Sequence, residues 1–145
     1  MKAVSLLLFL CAGLSVSGIA IRLGDRQTLV APPGARVEGF LRELQTRRSQ
    51  LAVKYLSDEL RQHAPASGLQ QAFLGLEAAF GDVENVDAET LSWDRQSAKA
   101  RGQLVSINGR RMALDFSLKW ERGQWAIEGL PEPFMATRAR PVNRR

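Results

Sequence analysis

The run Met112-Ala113-Leu114-Asp115-Phe116-Ser117-Leu118-Lys119-Trp120-Glu121-Arg122-Gly123-Gln124-Trp125-Ala126-Ile127-Glu128-Gly129-Leu130 decides the fold. Through its first half Met112, Leu114, Phe116, Leu118 and Trp120 alternate with Ala113, Asp115, Ser117 and Lys119. A period of two is that of a strand buried on one face. Beyond Arg122-Gly123, Trp125 and Ile127 resume the pattern in a second strand. A two-residue loop at Arg122-Gly123 sets Trp120 opposite Trp125 and Leu118 opposite Ile127, so both apolar sets share the helix-facing side. The paired indoles then add up to ~1 kcal/mol to the hairpin.

The same parity argument works outward to the preceding turn. Asn108-Gly109 is a hairpin signal. A two-residue loop there would set Leu114 against Gln103 and Phe116 against Arg101, mixing the faces. A three-residue loop, Ile107-Asn108-Gly109 with Gly109 in a bulge, sets Leu114 against Gly102 and Phe116 against Ala100. Parity therefore predicts the bulged turn. The strand before it, Ser97 to Ile107, has Ala98, Ala100, Gly102 and Leu104 on one face, small enough to let a helix approach closely. Val83 to Trp93 reads as a further strand, joined by a turn at Asp94 to Gln96.

Helical periodicity precedes the strands. Val37, Phe40, Leu41 and Leu44 keep the spacing of an amphipathic helix. After an interruption from Thr46 to Ser49, Leu51, Ala52, Tyr55 and Leu56 continue it, as a second short helix capped by Ser49 or as one kinked helix. Ser57 caps a further turn through Asp58, Glu59 and Leu60, with the acids well placed at its start and Pro65 as its stop. From Ser67, the residues Leu69, Ala72, Phe73, Leu76 and Phe80 mark one face of the clearest helix, which Gly81 ends. This face needs a partner layer, and the sheet is the expected one. Two or three helices followed by four antiparallel strands make an α+β fold, with the helices packed on a curved four-stranded sheet.

The chain has 145 residues and a formal charge of +5. Its length fits one domain with a core of its own. The excess charge lies at the ends: without Lys2, Arg138, Arg140, Arg144 and Arg145, basic and acidic residues are equal in number. A neutral body with mixed charges lacks the basic face that nucleic-acid binding requires. Cys11, the single cysteine, leaves the body without a disulfide or a reactive thiol.

Nineteen uncharged residues from Ala3 to Ile21 follow Lys2. Small residues at Gly18-Ile19-Ala20, or at Ser15-Val16-Ser17, suit cleavage of a signal peptide over residues 1–20. As a helix the run also spans ~28 Å, close to the ~30 Å hydrocarbon core, so an uncleaved anchor stays open. Leu10 is too bulky for lipoprotein processing at Cys11. Both readings place the body outside the cytoplasm, in the periplasm or beyond, or held at the membrane. Gly24, Pro32, Pro33 and Gly34 mark residues 21–34 as a linker. The domain is expected over 35–130, followed by a basic tail over 131–145 whose arginines could touch anionic lipid headgroups.

Taken in order, Phe40-Leu41-Arg42-Glu43-Leu44, Tyr55-Leu56-Ser57-Asp58-Glu59-Leu60-Arg61, the Phe80-Gly81 helix end and Trp120-Glu121-Arg122-Gly123-Gln124-Trp125-Ala126-Ile127-Glu128-Gly129-Leu130 give residues 35–130 a resemblance. The pattern resembles the nuclear transport factor 2-like superfamily, which includes the ketosteroid isomerases, and within it the small secreted bacterial domains. The resemblance implies a cone-shaped domain with a pocket between sheet and helices, often dimeric through the outer face of the sheet. It implies no ligand, because the superfold hosts enzymes, carriers and adaptors alike.

The residues declare no chemistry of their own. His63, the lone histidine, stands four residues after Glu59 but lacks the further ligands a metal site needs, so no metal and no cofactor is expected. Asp115 would be a general base if it faced a pocket, yet parity turns it outward with Ser117 and Lys119. Phe40, Tyr55, Phe73, Phe116, Trp120 and Trp125 are the aromatic set able to line a pocket, and they are equally a core. The expected function is thus a noncatalytic envelope domain binding a small apolar ligand or a protein partner. The alternatives are an isomerase or dehydratase using Asp115 or Asp58, and a structural dimer without ligand.

Overall fold

A computed structural model describes residues 30–135, and the unit considered below begins at Ala31. The expected signal or anchor, the linker up to residue 29 and the arginine-bearing part of the tail lie outside the described residues. Helix α1 runs from Pro33 to Gln45, two residues earlier than the periodicity predicts. Proline suits the first helical position, since the N–H it lacks would have no helical partner there. Val37, Phe40, Leu41 and Leu44 are fully buried, as their spacing requires.

An abrupt turn with Arg47 at φ 62° leads into α2, Ser49–Ala52, and a 3-10 turn over Val53–Tyr55. Arg48 occupies the N-cap, so Ser49 is the first helical residue and not the expected cap. Helix α3, Asp58–His63, has the predicted cap: Leu60 N–H donates to Ser57 Oγ at 3.2 Å. Pro65 precedes α4, Ala66–Phe80, which Gly81 ends at φ 109°.

Four strands form an antiparallel meander in the order β1 (Val83–Trp93), β2 (Ser97–Ser106), β3 (Arg111–Glu121), β4 (Gln124–Gly129). Both turns obey the parity argument. Leu114 faces Gly102 and Phe116 faces Ala100. The three residues between Ser106 and Arg110 include Gly109 at φ 78°, and Ser106 N–H donates to Arg110 O. At the other turn Arg122 and Gly123 both take positive φ, and Trp120 faces Trp125. Three irregularities were not foreseen. They leave Glu84 and Leu91 on β1 and Glu128 on β4 as extra residues opposite an otherwise regular ladder.

Helix α1, not α4, supplies the layer on the sheet. Gly34 N–H donates to Thr90 Oγ1, and Gln45 Nε2 donates to the carbonyls of Val83 and Glu84, so β1 holds both ends of the helix. Close approach depends on Gly102: a Cβ there would lie 2.5 Å from Leu41 Cδ1. Helix α4 packs mainly against α1, α2 and a last element, α5, at Glu132–Met135. Phe134 of α5, four residues past the expected domain end at 130, is 1% exposed in the core.

Candidate functional site

Of the six aromatic residues expected to line a pocket, Phe40, Phe73, Phe116 and Trp125 lie in one buried core, Tyr55 packs against it, and Trp120 is exposed. Phe40 meets Phe116 edge-on at 5.9 Å between centroids and Phe134 at 5.8 Å, and Phe73 is fully buried in α4. Phe40, Phe116 and Phe134 meet in the edge-to-face geometry that aromatic quadrupoles prefer. Trp120 and Trp125 form a T-shaped pair at 5.3 Å. Trp125 is buried while Trp120 is 41% exposed, where the helical layer ends. Tyr55 is partly buried against the core, with the Arg36 guanidinium 4.5 Å from its ring centroid and Gly39 close to the ring. Half-burial pulls Arg36 below the ordinary guanidinium pKa, and Tyr55 opposes that shift.

Phe134 is the member of this core that residue spacing missed. Pro131, Glu132 and Pro133 read as the end of the sheet, and the Phe134-Met135 doublet is too short for a period. Yet the turn they begin, closed by Phe134 N–H donating to Pro131 O at 2.9 Å, drives that ring inward. A gap of about 40 Å³ remains beside it, lined in part by Leu60, His63 and Leu130. This volume suits ordered water and is far below that of a metabolite site.

The ionisable candidates lie at the surface. The Asp115 carboxylate points outward and accepts from Arg101 Nε at 2.7 Å. The Arg101 hydrogen bond holds Asp115 below the usual carboxylate range; desolvation opposes it, and the charges of Arg101 and Lys99 add to it. Asp58 starts α3 and pairs with Arg122 and Arg61. His63 is exposed at the end of α3. Among the described residues no three His, Cys, Asp or Glu side chains converge. Glu77 is the one buried carboxylate among the described residues, and its role is structural: Oε1 pairs with Arg47 at 2.7 Å, and Oε2 accepts from Val83 N–H at 2.9 Å.

A second concavity opens on the outer face of the sheet. It holds about 260 Å³, and its walls include Ser92, Trp93, Asp94, Lys99, Ser117 and Glu128. Trp93 is 71% exposed. Asp94 is consumed by the β1–β2 turn, accepting from the N–H groups of Gln96 and Ser97 and from Ser97 Oγ, which lowers its pKa. The other polar walls stay open to solvent. Residue spacing gave no sign of this groove, because it is assembled by register across four strands and by the bulges at Leu91 and Glu128.

Helices on one face of a four-stranded antiparallel meander, closed by a C-terminal turn, define a nuclear transport factor 2-like α+β fold. The chain is similar in structure to a crystal structure from Campylobacter jejuni described provisionally as an NTF2-like transpeptidase. The two share 17% sequence identity at a TM-score of 0.51, over 64% of this chain and 94% of the other. No family model matches the sequence, and no curated protein matches it.

Proposed function

We propose that the chain is a noncatalytic, envelope-located accessory domain that meets its partner at the surface of the fold and not in its interior. The observation that carries this reading is the packing of Phe40, Phe73, Phe116 and Phe134 where a carrier of this fold would keep its cavity. The two carboxylates considered for acid–base work, Asp58 and Asp115, are both tied to arginines at the surface, which weakens the isomerase alternative. The apolar run from Ala3 to Ile21 supports export, cleaved or anchored.

Native mass spectrometry of the full chain, expressed with its own N-terminus and purified from the envelope fraction, tests the reading. The expected result is a protein free of small molecules, recovered outside the cytoplasm, with no turnover of steroid-like or hydroxy-acyl substrates. A stoichiometric apolar ligand retained in the spectrum would overturn the surface reading, and recovery in the cytoplasm would overturn the location.

A further inference from the structure

The helix-facing side of the sheet is not covered to its ends. Helix α1 begins at Pro33, and Gly34 N–H donates to Thr90 Oγ1, so its first turn lies short of Trp93 on β1. Register puts Trp93 on that side: it pairs with Ala98, Ala98 with Leu118, and Leu118 with Ile127, the last three buried. Trp120 follows Leu118 by one strand period and shares the face. Trp93 is 71% exposed and Trp120 41%. The T-shaped contact with buried Trp125 holds the Trp120 ring in place. In an antiparallel meander the β1–β2 and β3–β4 turns leave the sheet at this same end.

The charges of those two turns are unequally matched. Asp94 accepts from the N–H groups of Gln96 and Ser97, Glu121 accepts from Asp58 N–H, and Arg122 pairs with Asp58. Arg95 is exposed, and its side chain makes no hydrogen bond and no ion pair among the described residues. Two exposed indoles and one unpaired guanidinium thus share one end of the domain. The chain also enters here, since the unit begins at Ala31, just before Gly34 and its bond to Thr90. In the sequence only Arg22 to Val30 separate Ala31 from the apolar run that ends at Ile21. Fully extended, that stretch reaches about 30 Å.

We propose that this end of the domain rests on an anionic bilayer surface, with Trp93 and Trp120 at headgroup depth and Arg95 against lipid phosphate. Exposed apolar side chains are common and by themselves say little. Indoles differ, because an apolar ring that carries an N–H donor suits the boundary between headgroups and acyl chains. The unpaired arginine beside them attracts anionic lipid, and the acids of both turns are already bound within the fold. If the apolar run is retained, its short tether makes this the end of the sheet nearest the bilayer. If it is cleaved, the same patch provides a reversible contact.

The inference rests on the envelope location proposed above. A ligand-free chain recovered from the envelope without lipid contact at these indoles would defeat this inference alone, whereas recovery in the cytoplasm would defeat both. The exported chain, with the N-terminus it carries after export, is combined with vesicles of equimolar phosphatidylglycerol and phosphatidylcholine. The acyl chains are either plain or brominated next to the headgroup, and bromine quenches nearby indoles. Trp93, Trp120 and Trp125 are the three tryptophans of the chain, so the emission reports on these positions alone. Bromine should reduce the emission of the unaltered chain, and that loss should vanish in the double variant Trp93→Phe, Trp120→Phe, where buried Trp125 remains. Trp93→Phe alone should keep part of the loss. Arg95→Gln should reduce the loss by about twofold or more on the anionic vesicles and leave it unchanged on phosphatidylcholine alone. The melting temperature of each variant serves as the folding control. Emission indifferent to bromine, a loss that persists in the double variant, or an equal loss with and without phosphatidylglycerol would each overturn the proposal. So would a homodimer that shields Trp93 from acrylamide in the absence of lipid.

Discussion

The two faces of the sheet are built from alternate residues of the same strands, and they are finished in opposite ways. On the inner face Leu104, Leu114, Phe116, Leu118 and Ile127 are each at most 5% exposed. The buried polar residue among them, Ser106, is satisfied through its own turn, where Gly109 N–H donates to its carbonyl and Arg110 N–H donates to its hydroxyl. On the outer face the side chains of Lys99, Ser117 and Glu128 make no hydrogen bond and no ion pair among the described residues, Lys99 acting on Asp115 only through its charge. The inner face has spent its side chains on stability and has no room left for a visitor. On the reading proposed above, recognition by this domain belongs where side chains still have free valence for hydrogen bonding.

That contrast breaks most severely at Phe134. Phe134→Ala should remove about 3–5 kcal/mol from the unfolding free energy in a urea titration and leave a cavity against Phe40. A loss near zero would mean that the interior is not closed by this ring. Glu77→Ala comes next, because it strands the buried Val83 N–H while the partly exposed Arg47 can turn to water. It should cost about 1–3 kcal/mol, read from the same titration. Gly102→Ala pushes a methyl group against Leu41 and should cost about 1–2 kcal/mol, while Gln103→Ala, its neighbour on the outer face, should stay within about 0.5 kcal/mol. Equal effects at 102 and 103 would erase the distinction between the faces.

The smallest expected effect is a titration on the outer face. The Asp115 carboxyl has a lowered pKa in the fold, so the Arg101 pair is in place at neutral pH and is lost as pH falls through that lowered value. Arg101→Ala should move the Asp115 midpoint upward toward an ordinary carboxylate, followed by carboxyl chemical shifts, with the inner face undisturbed. An unmoved midpoint would separate the pair from the shift.

Much of the fold was legible in the sequence because a strand register is a parity problem. One slip exchanges the faces, so only a three-residue loop before β3 and a two-residue loop after it keep Leu114, Phe116, Leu118 and Ile127 together. Periodicity could not say which helix would lie on the sheet. Leu69, Phe73, Leu76 and Phe80 require cover, but other helices cover them as well as strands do. Phe134 escaped because two prolines around Glu132 look like a stop, though here they start a turn. The candidate site was hardly legible. Aromatic spacing tells that Phe40 and Phe116 are buried but not whether a void remains between them. The groove on the outer face depends on bulges at Leu91 and Glu128, which leave no mark in an alternation pattern.

One contact at the far edge of the sheet limits how copies of this domain can associate. Leu56 makes a parallel bridge to Ile127, and Ser57 N–H donates to the Ile127 carbonyl at 2.8 Å. The margin of β4 is thus partly occupied by the chain's own connection between α2 and α3. Growth by edge-to-edge strand addition requires two free margins on every subunit. Here β1 is the margin left, and it is interrupted by bulges at Glu84 and Leu91 and carries Asp87 and Glu89. Addition through β1 would use up that margin in a single pair, so the fold is protected by its own geometry against open-ended fibre growth.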